Sequence, residues 1–192
     1  NNEHDFFQYK EKAIQGFPKV AVFISGNGTN LERILQEVEQ GTIAAEIVGV
    51  VSNKEDAYGV TRARDHHVPV FIVPSKGLLK DLRAREVYMN TLIDITKQLD
   101  PDVIVFAGWK IVMDDRYLQW MKDEKIIGIN LHPAILTEGN EETVRTTRGE
   151  IPVIRGSHAI EDAYRKNLPV SGVTVHQLLP GGVFDTGPII LQ

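Results

Sequence analysis

Residues 19–25, Lys-Val-Ala-Val-Phe-Ile-Ser, form an almost unbroken apolar run rich in β-branched and aromatic side chains, and Gly26-Asn27-Gly28 follows at once. A strand without polar alternation has to be covered on both faces, which is the situation of a strand inside a parallel sheet. Similar runs recur at 46–52, 69–73, 103–107, 126–131, 170–178 and 188–191. Helical patterns separate most of them. Leu31, Ile34, Leu35 and Val38 share one helix face, and Gly41 is placed to end that helix. Further helices are expected over 56–66, 78–99, 117–121 and 159–166, with Leu82, Val87, Leu92 and Ile95 as the apolar stripe of the longest. Strands alternating with helices require crossover connections, so the expected fold is a single α/β domain, Rossmann-like, with a mostly parallel central sheet flanked by helices. Residues 1–17 read as an N-terminal extension and 18–192 as the domain.

Composition narrows the function classes. The net charge of −5 argues against a broad nucleic-acid face. With no cysteine, disulfides, thiolate metal sites and cysteine nucleophiles are excluded. No His/Asp/Glu spacing matches a metal motif, and no apolar stretch is long enough for a bilayer. The N-terminal residues carry neither a signal-peptide core nor a transit pattern, so the expectation is a cytoplasmic protein, monomeric or homodimeric, that handles small molecules.

Two groups of residues carry chemistry. Gly26-Asn27-Gly28-Thr29-Asn30 joins the first strand to the first helix. It lacks the third glycine of a dinucleotide fingerprint and the lysine of a Walker loop. It offers main-chain N–H groups, a hydroxyl and amides at a helix N-terminus, which suits a single terminal phosphate. The alternative is a tight turn capped by Thr29 or Asn30. The second group is Asn130-Leu131-His132-Pro133 with Asp185-Thr186-Gly187-Pro188. Asn130 and His132 lie two apart at a strand end and so share a face. Amide and imidazole can polarise a carbonyl and stabilise an oxyanion, and a carboxylate can relay a proton through water. A buried structural histidine and a turn aspartate are the competing readings.

Other residues carry less. Ser157 reads as a cap before His158; His176 either lines the site or sits satisfied in the core; His66 and His67 close a helix; Arg83 and Arg85 lie on a polar helix face. The segment 109–113, Trp-Lys-Ile-Val-Met, can wall a flat ring whose edge bonds to main chain. Residues 137–150, polar and without an apolar stripe, read as a loop on the site side.

Taken together, 24–31, 51–53, 107–109, 130–133, and 172–176 through 185–190 resemble the phosphoribosylglycinamide formyltransferases, a branch of the formyltransferase superfamily. Asn-x-His-Pro with the late Asp-x-Gly-Pro is shared across the superfamily; Ser-Gly-Asn-Gly-Thr-Asn is more specific to this branch. The resemblance implies transfer of a formyl group from 10-formyltetrahydrofolate to 5'-phosphoribosylglycinamide, with no metal. It implies that Gly28, Thr29 and Asn30 hold the phosphate. Arg85 and Lys110, Ile111, Val112 and Met113 would bind the folate, with Asn130 beside them. Asn130, His132 and Asp185 would be catalytic, and residues 179–185 would close over the pterin. The alternatives are another folate-dependent formyltransferase, acting on an amino-sugar nucleotide or an aminoacyl-tRNA, and a non-catalytic ligand-binding homologue. The chain departs from the family pattern at Ala134-Ile135-Leu136-Thr137 and in the longer insert that follows, and the family runs on through another strand and a helix past the position of Gln192.

Overall fold

The computed structural model describes residues 16–77, 81–156, 158–181 and 185–192. Readings that fall on 1–15, 78–80, Ser157 and 182–184 lie outside the described residues. The chain runs β1 (Lys19–Ile24), α1 (Thr29–Glu39), β2 (Glu46–Ser52), α2 (Tyr58–Asp65), β3 (Val70–Ile72), α3 (Leu82–Leu99), β4 (Val103–Phe106), α4 (Asp115–Asp123) and β5 (Ile127–His132). It continues through β6 (Thr143–Thr146), β7 (Gly149–Pro152), α5 (Ala159–Arg165), β8 (Thr174–Gln177) and β9 (Ile189–Leu191). Seven strands form one sheet in the order β3-β2-β1-β4-β5-β8-β9. The first five are parallel, while β8 and β9 are antiparallel to their neighbours.

The expected α/β architecture is therefore present, and β1 shows why. Its residues alternate between two cores. Val20, Val22 and Ile24 face Leu31 and Leu35 of α1 and Ala63 of α2. Ala21 and Phe23 face Met89 and Leu92 of α3 and Tyr117 and Met121 of α4. Every residue from Ala21 to Ile24 is fully buried, so a polar residue at any of them would lack a place to meet water.

Three expectations need correction. The stripe assigned to α3 is rotated: Leu82 is 88% exposed and Val87 60%, and the buried face is Tyr88, Met89, Leu92, Thr96 and Leu99. Two of these are polar, and each hydroxyl has a partner inside. Tyr88 Oη donates to Val73 O at 3.0 Å, and Thr96 Oγ1 meets Tyr117 Oη at 2.8 Å. Satisfied hydroxyls cost little to bury, so apolarity alone misplaced the face. The strand expected over 170–178 shortens to β8, and the helix expected over 117–121 extends to α4, whose N-cap Asp114 accepts from Tyr117 N at 2.9 Å.

The third correction is the loop read over 137–150. Part of it is a two-stranded hairpin, β6 with β7, in register Thr143 to Pro152 and Thr146 to Gly149. The threonines supply β propensity and local bonds: Thr146 Oγ1 donates to Gly149 O at 2.7 Å and accepts from Arg148 N at 3.1 Å. The one deeply buried apolar residue of the hairpin, Ile151, lies just past residues 137–150.

Before β9 the chain makes a close approach that only glycine permits. A Cβ on Gly187 would stand 1.9 Å from Gln177 O, in the backbone of β8. Gln177 N also donates to Pro188 O at 2.9 Å, so the two segments are held together there. Gly187→Ala is expected to destabilise the protein by about 1–3 kcal/mol through overpacking. Gly26→Ala, which meets no atom within 4 Å, is the control and should unfold at a nearly unchanged urea concentration.

Candidate active site

In the strand order β3-β2-β1-β4-β5, the connections move outward in one direction from β1 and in the other from β4. The crevice at the carboxyl ends of β1 and β4 is the position where open α/β sheets take ligands. Gly26–Asn30 leaves β1 there, and Gly108-Trp109-Lys110 leaves β4. The two turns are tied together, since Lys110 N donates to Ser25 Oγ at 2.8 Å.

The glycine turn is shaped by α2. Gly28 is the N-cap of α1, in the left-handed region at φ 72°, and no side chain caps the helix. Thr29 and Asn30 are thus not caps; their side chains are exposed at the first turn. A Cβ on Gly28 would lie 2.6 Å from the Gly59 Cα, and one on Gly59 would lie 2.5 Å from Ile24 Cδ1. The glycines let α2 press against the turn. Gly26 O accepts from Gly59 N at 3.0 Å, and Asn27 O accepts from Arg62 Nε at 3.0 Å. With both carbonyls turned toward α2, the planar trans peptides aim the Asn27 and Gly28 N–H groups the opposite way. Main-chain N–H groups so aimed at a helix N-terminus have the chemistry to accept an anion.

The second group converges as the sequence suggests. β8 lies antiparallel to β5, with Asn130 opposite His176 and His132 opposite Thr174. Asp185, at φ 57°, returns its carboxylate into this pair of strands. Oδ2 lies 3.5 Å from His132 Nδ1 and accepts from Gly156 N at 2.9 Å. Oδ1 lies 3.4 Å from both Asn130 Nδ2 and His176 Nε2. His132 Nε2 is 2.8 Å from Ile154 O. A carbonyl can only accept, so Nε2 carries a proton and Nδ1 is the nitrogen turned toward Asp185. Burial works to raise the Asp185 carboxyl. The hydrogen bond from His176, the Gly156 N–H and the charges of His132 and His176 outweigh it and hold the carboxyl below its ordinary value.

His176 answers the question the sequence left open. It is fully buried, yet it belongs to the cluster: bare, Nε2 accepts from Asn130 Nδ2 at 3.0 Å; protonated, it donates to Asp185 Oδ1. Its signal in the sequence was the strand alternation, but only the antiparallel register sets it opposite Asn130. Gly156 and Ile154 also act on the cluster, through main chain, which no side-chain motif announces.

A cleft of about 620 Å³ runs from Lys110–Met113 to Asn130, His132 and Asp185. Gly28, Thr29 and Asn30 do not line it; they flank it across the Ser25–Lys110 bond. Arg85 is outside its wall as well, but Nη2 donates to Val112 O at 2.9 Å, so the guanidinium orients the segment that forms the wall. Arg83 stays exposed, and its N–H joins the Asp81 cap of α3. His66 is bound to Glu39 and Glu32, away from the cleft. Of the lid expected at 179–185, Leu179, Pro180, Gly181 and Asp185 line the cleft. Among the described residues, no group of three His, Asp or Glu could hold a metal, and no helix is long and apolar enough to cross a membrane.

The depressed carboxyl makes a pH prediction. A folded pKa below the ordinary 3.8 means that ionised Asp185 stabilises the fold. The contribution is complete above the unfolded value and is lost as pH falls through the folded one. Asp185→Asn should lower stability at neutral pH, and its deficit should shrink below about pH 4. Urea unfolding of both proteins at several pH values measures it; a deficit independent of pH would contradict the charge-based account.

A formyl transferase family profile matches residues 18–192. The phosphoribosylglycinamide formyltransferase of Saccharomyces cerevisiae is 32% identical over 177 residues, which cover 84% of this chain and 75% of that protein. Its counterpart in Dictyostelium discoideum is 33% identical over 182 residues, 90% of this chain and 80% of that one. The crystal structure of phosphoribosylglycinamide formyltransferase from Bacillus halodurans superposes with a TM-score of 0.73 at 32% identity, over 91% of this chain and 77% of that one. With the profile spanning 18–192 and these relatives matching over most of their length, the chain belongs to the formyl transferase family.

Proposed function

We propose that this chain transfers the formyl group of 10-formyltetrahydrofolate to the amine of 5'-phosphoribosylglycinamide, a step of de novo purine biosynthesis. The relatives that match it over most of their length carry this activity in their names, which favours it over an amino-sugar or tRNA formyltransferase and over a non-catalytic homologue. The observation that carries the residue-level reading is one cleft in which Asn130, His132 and Asp185 meet the Lys110–Met113 wall.

In this reading the main chain of Lys110–Met113, held by Arg85, meets the polar edge of the pterin, and Ile111, Val112 and Met113 wall the ring. Gly28, Thr29 and Asn30 take the phosphate of the amine substrate. The neutral amine attacks the formyl carbon, a C–N bond forms, and the carbonyl oxygen becomes an oxyanion. Asn130 Nδ2 and a proton on His132 Nδ1 stabilise it. The amine then gives up a proton through water beside Asp185. The C–N bond to the folate breaks as its nitrogen takes a proton by way of His132. Asp185, kept ionised, can receive and return that proton within the cluster. Holding both reactants in one cleft contributes by orientation.

Two measurements test the reading. A folded His132→Ala protein should lose roughly 10²–10³ in kcat, the usual cost of one oxyanion donor; near wild-type turnover would rule the assignment out. Thr29→Val with Asn30→Ala should weaken binding of the phosphorylated amine by about 10-fold or more, because each lost bond is to a charged group. Folate affinity should hold. Equal loss of both ligands in calorimetry would place the phosphate elsewhere.

A further inference from the structure

Both peptide groups of Arg155 hold the catalytic cluster. The carbonyl before it, Ile154 O, accepts from His132 Nε2 at 2.8 Å, and the N–H after it, Gly156 N, donates to Asp185 Oδ2 at 2.9 Å. The side chain of Arg155 is committed to the insert. Nη2 donates to Thr137 O at 3.3 Å, Thr137 Oγ1 at 3.1 Å and Gly139 O at 2.8 Å, and Nη1 donates to Glu141 O at 3.1 Å. The same stretch of the insert also grips the other flank of Asp185, since Gly139 N donates to Thr186 O at 3.1 Å.

We propose that Arg155 is a positioning residue for the transfer reaction: its guanidinium folds 137–141 into a brace that fixes the His132–Asp185 pair. The proposal rests on the formyl-transfer reading above. The geometry favours a positioning role over a binding one. Four acceptor contacts use both terminal nitrogens, so the charge is turned into the insert rather than toward the cleft, and Arg155 is absent from the cleft wall. Planarity matters as much as charge. One guanidinium reaches oxygens on three residues, which a point-charge ammonium cannot do. Ile154, buried against Ala134, Ala159 and Ala163, anchors the strap from its other side. The brace thus gives the insert a task inside the site, while the hairpin tip at 147–148 stays exposed.

The test uses Arg155→Ala and Arg155→Lys. Calorimetric affinities for folate and for the phosphorylated amine should stay near wild type, while kcat falls roughly 10–100-fold, the scale of a misplacement of about 1 Å. In addition, loss of the Gly156 N–H contact removes one of the groups that hold Asp185 ionised, so the acid limb of the kcat profile should move to higher pH. Lysine should not rescue either change. If Arg155→Ala fails to fold, Thr137→Val, which deletes only the hydroxyl acceptor, should show the same limb shift in smaller measure. Unchanged kcat and an unmoved acid limb in the folded variants, or full rescue by lysine, would overturn the proposal. His132→Ala separates the two readings. An active His132→Ala defeats the reaction assignment, whereas an inactive one beside a normal Arg155→Ala defeats only the brace.

Discussion

The Asp185 carboxylate is the contact on which the rest of the site depends. It lies on the approach to β9 and touches both the strand pair β5–β8 and the strap after β7. Putting a carboxylate where water is scarce is costly, and the cost is met here by one main-chain N–H, one amide and two imidazoles. Each of these donors is thereby oriented. His132 is fixed from both ring nitrogens, by Ile154 O and by Asp185, so its ring plane is set before any substrate arrives. Preorganised polar groups need no rearrangement as charge develops, and that is the main route by which such a site gains rate.

The left-handed backbone at Asp185, φ 57°, fits this view. A non-glycine residue in that region is uncommon, although aspartate tolerates it better than most. The strain is held by the surroundings: Gly187 seats against Gln177 O, Pro188 O takes a bond from Gln177 N, and Gly139 N binds Thr186 O. Asp-Thr-Gly-Pro is thus legible as a unit. The aspartate carries the charge, the glycine allows the backbone approach, and the proline leads into the edge strand.

How far the sequence could be read depended on whether the information was local. β1, β2 and β4 are near-continuous apolar runs, and their burial on both faces follows from that pattern alone. Gly26–Asn30, Asn130, His132 and Asp185 were recognisable because each sits at a strand end or in a tight turn. The buried face of α3 departs from the apolar stripe because Tyr88 and Thr96 are buried by virtue of distant partners, Val73 O and Tyr117 Oη, which helical periodicity cannot see. The hairpin was missed for a related reason. Half of its strand residues are threonine or charged, and their pairing shows only once Val144 is set opposite Ile151. His176 needed the antiparallel register, and the Ile154 and Gly156 contacts are main-chain bonds that any residue type could have made.

The division of labour across the sheet follows from the same topology. The glycine turn owes its shape to α2, through Gly59 and Arg62, and the Lys110–Met113 wall owes its own to α3, through Arg85. These helices lie in different cores, on opposite sides of β1. The only direct bond between the two turns in the described residues is Ser25 Oγ to Lys110 N. Ser25 is nearly fully buried, and its hydroxyl oxygen is matched there by a main-chain N–H. It fixes the separation between the glycine turn and the Lys110–Met113 wall, which in the proposed reaction sets the distance over which the amine reaches the formyl carbon. In the proposed reaction, a change there would disturb the alignment of the two substrates while leaving each proposed binding surface intact, which is the signature of orientation rather than of affinity.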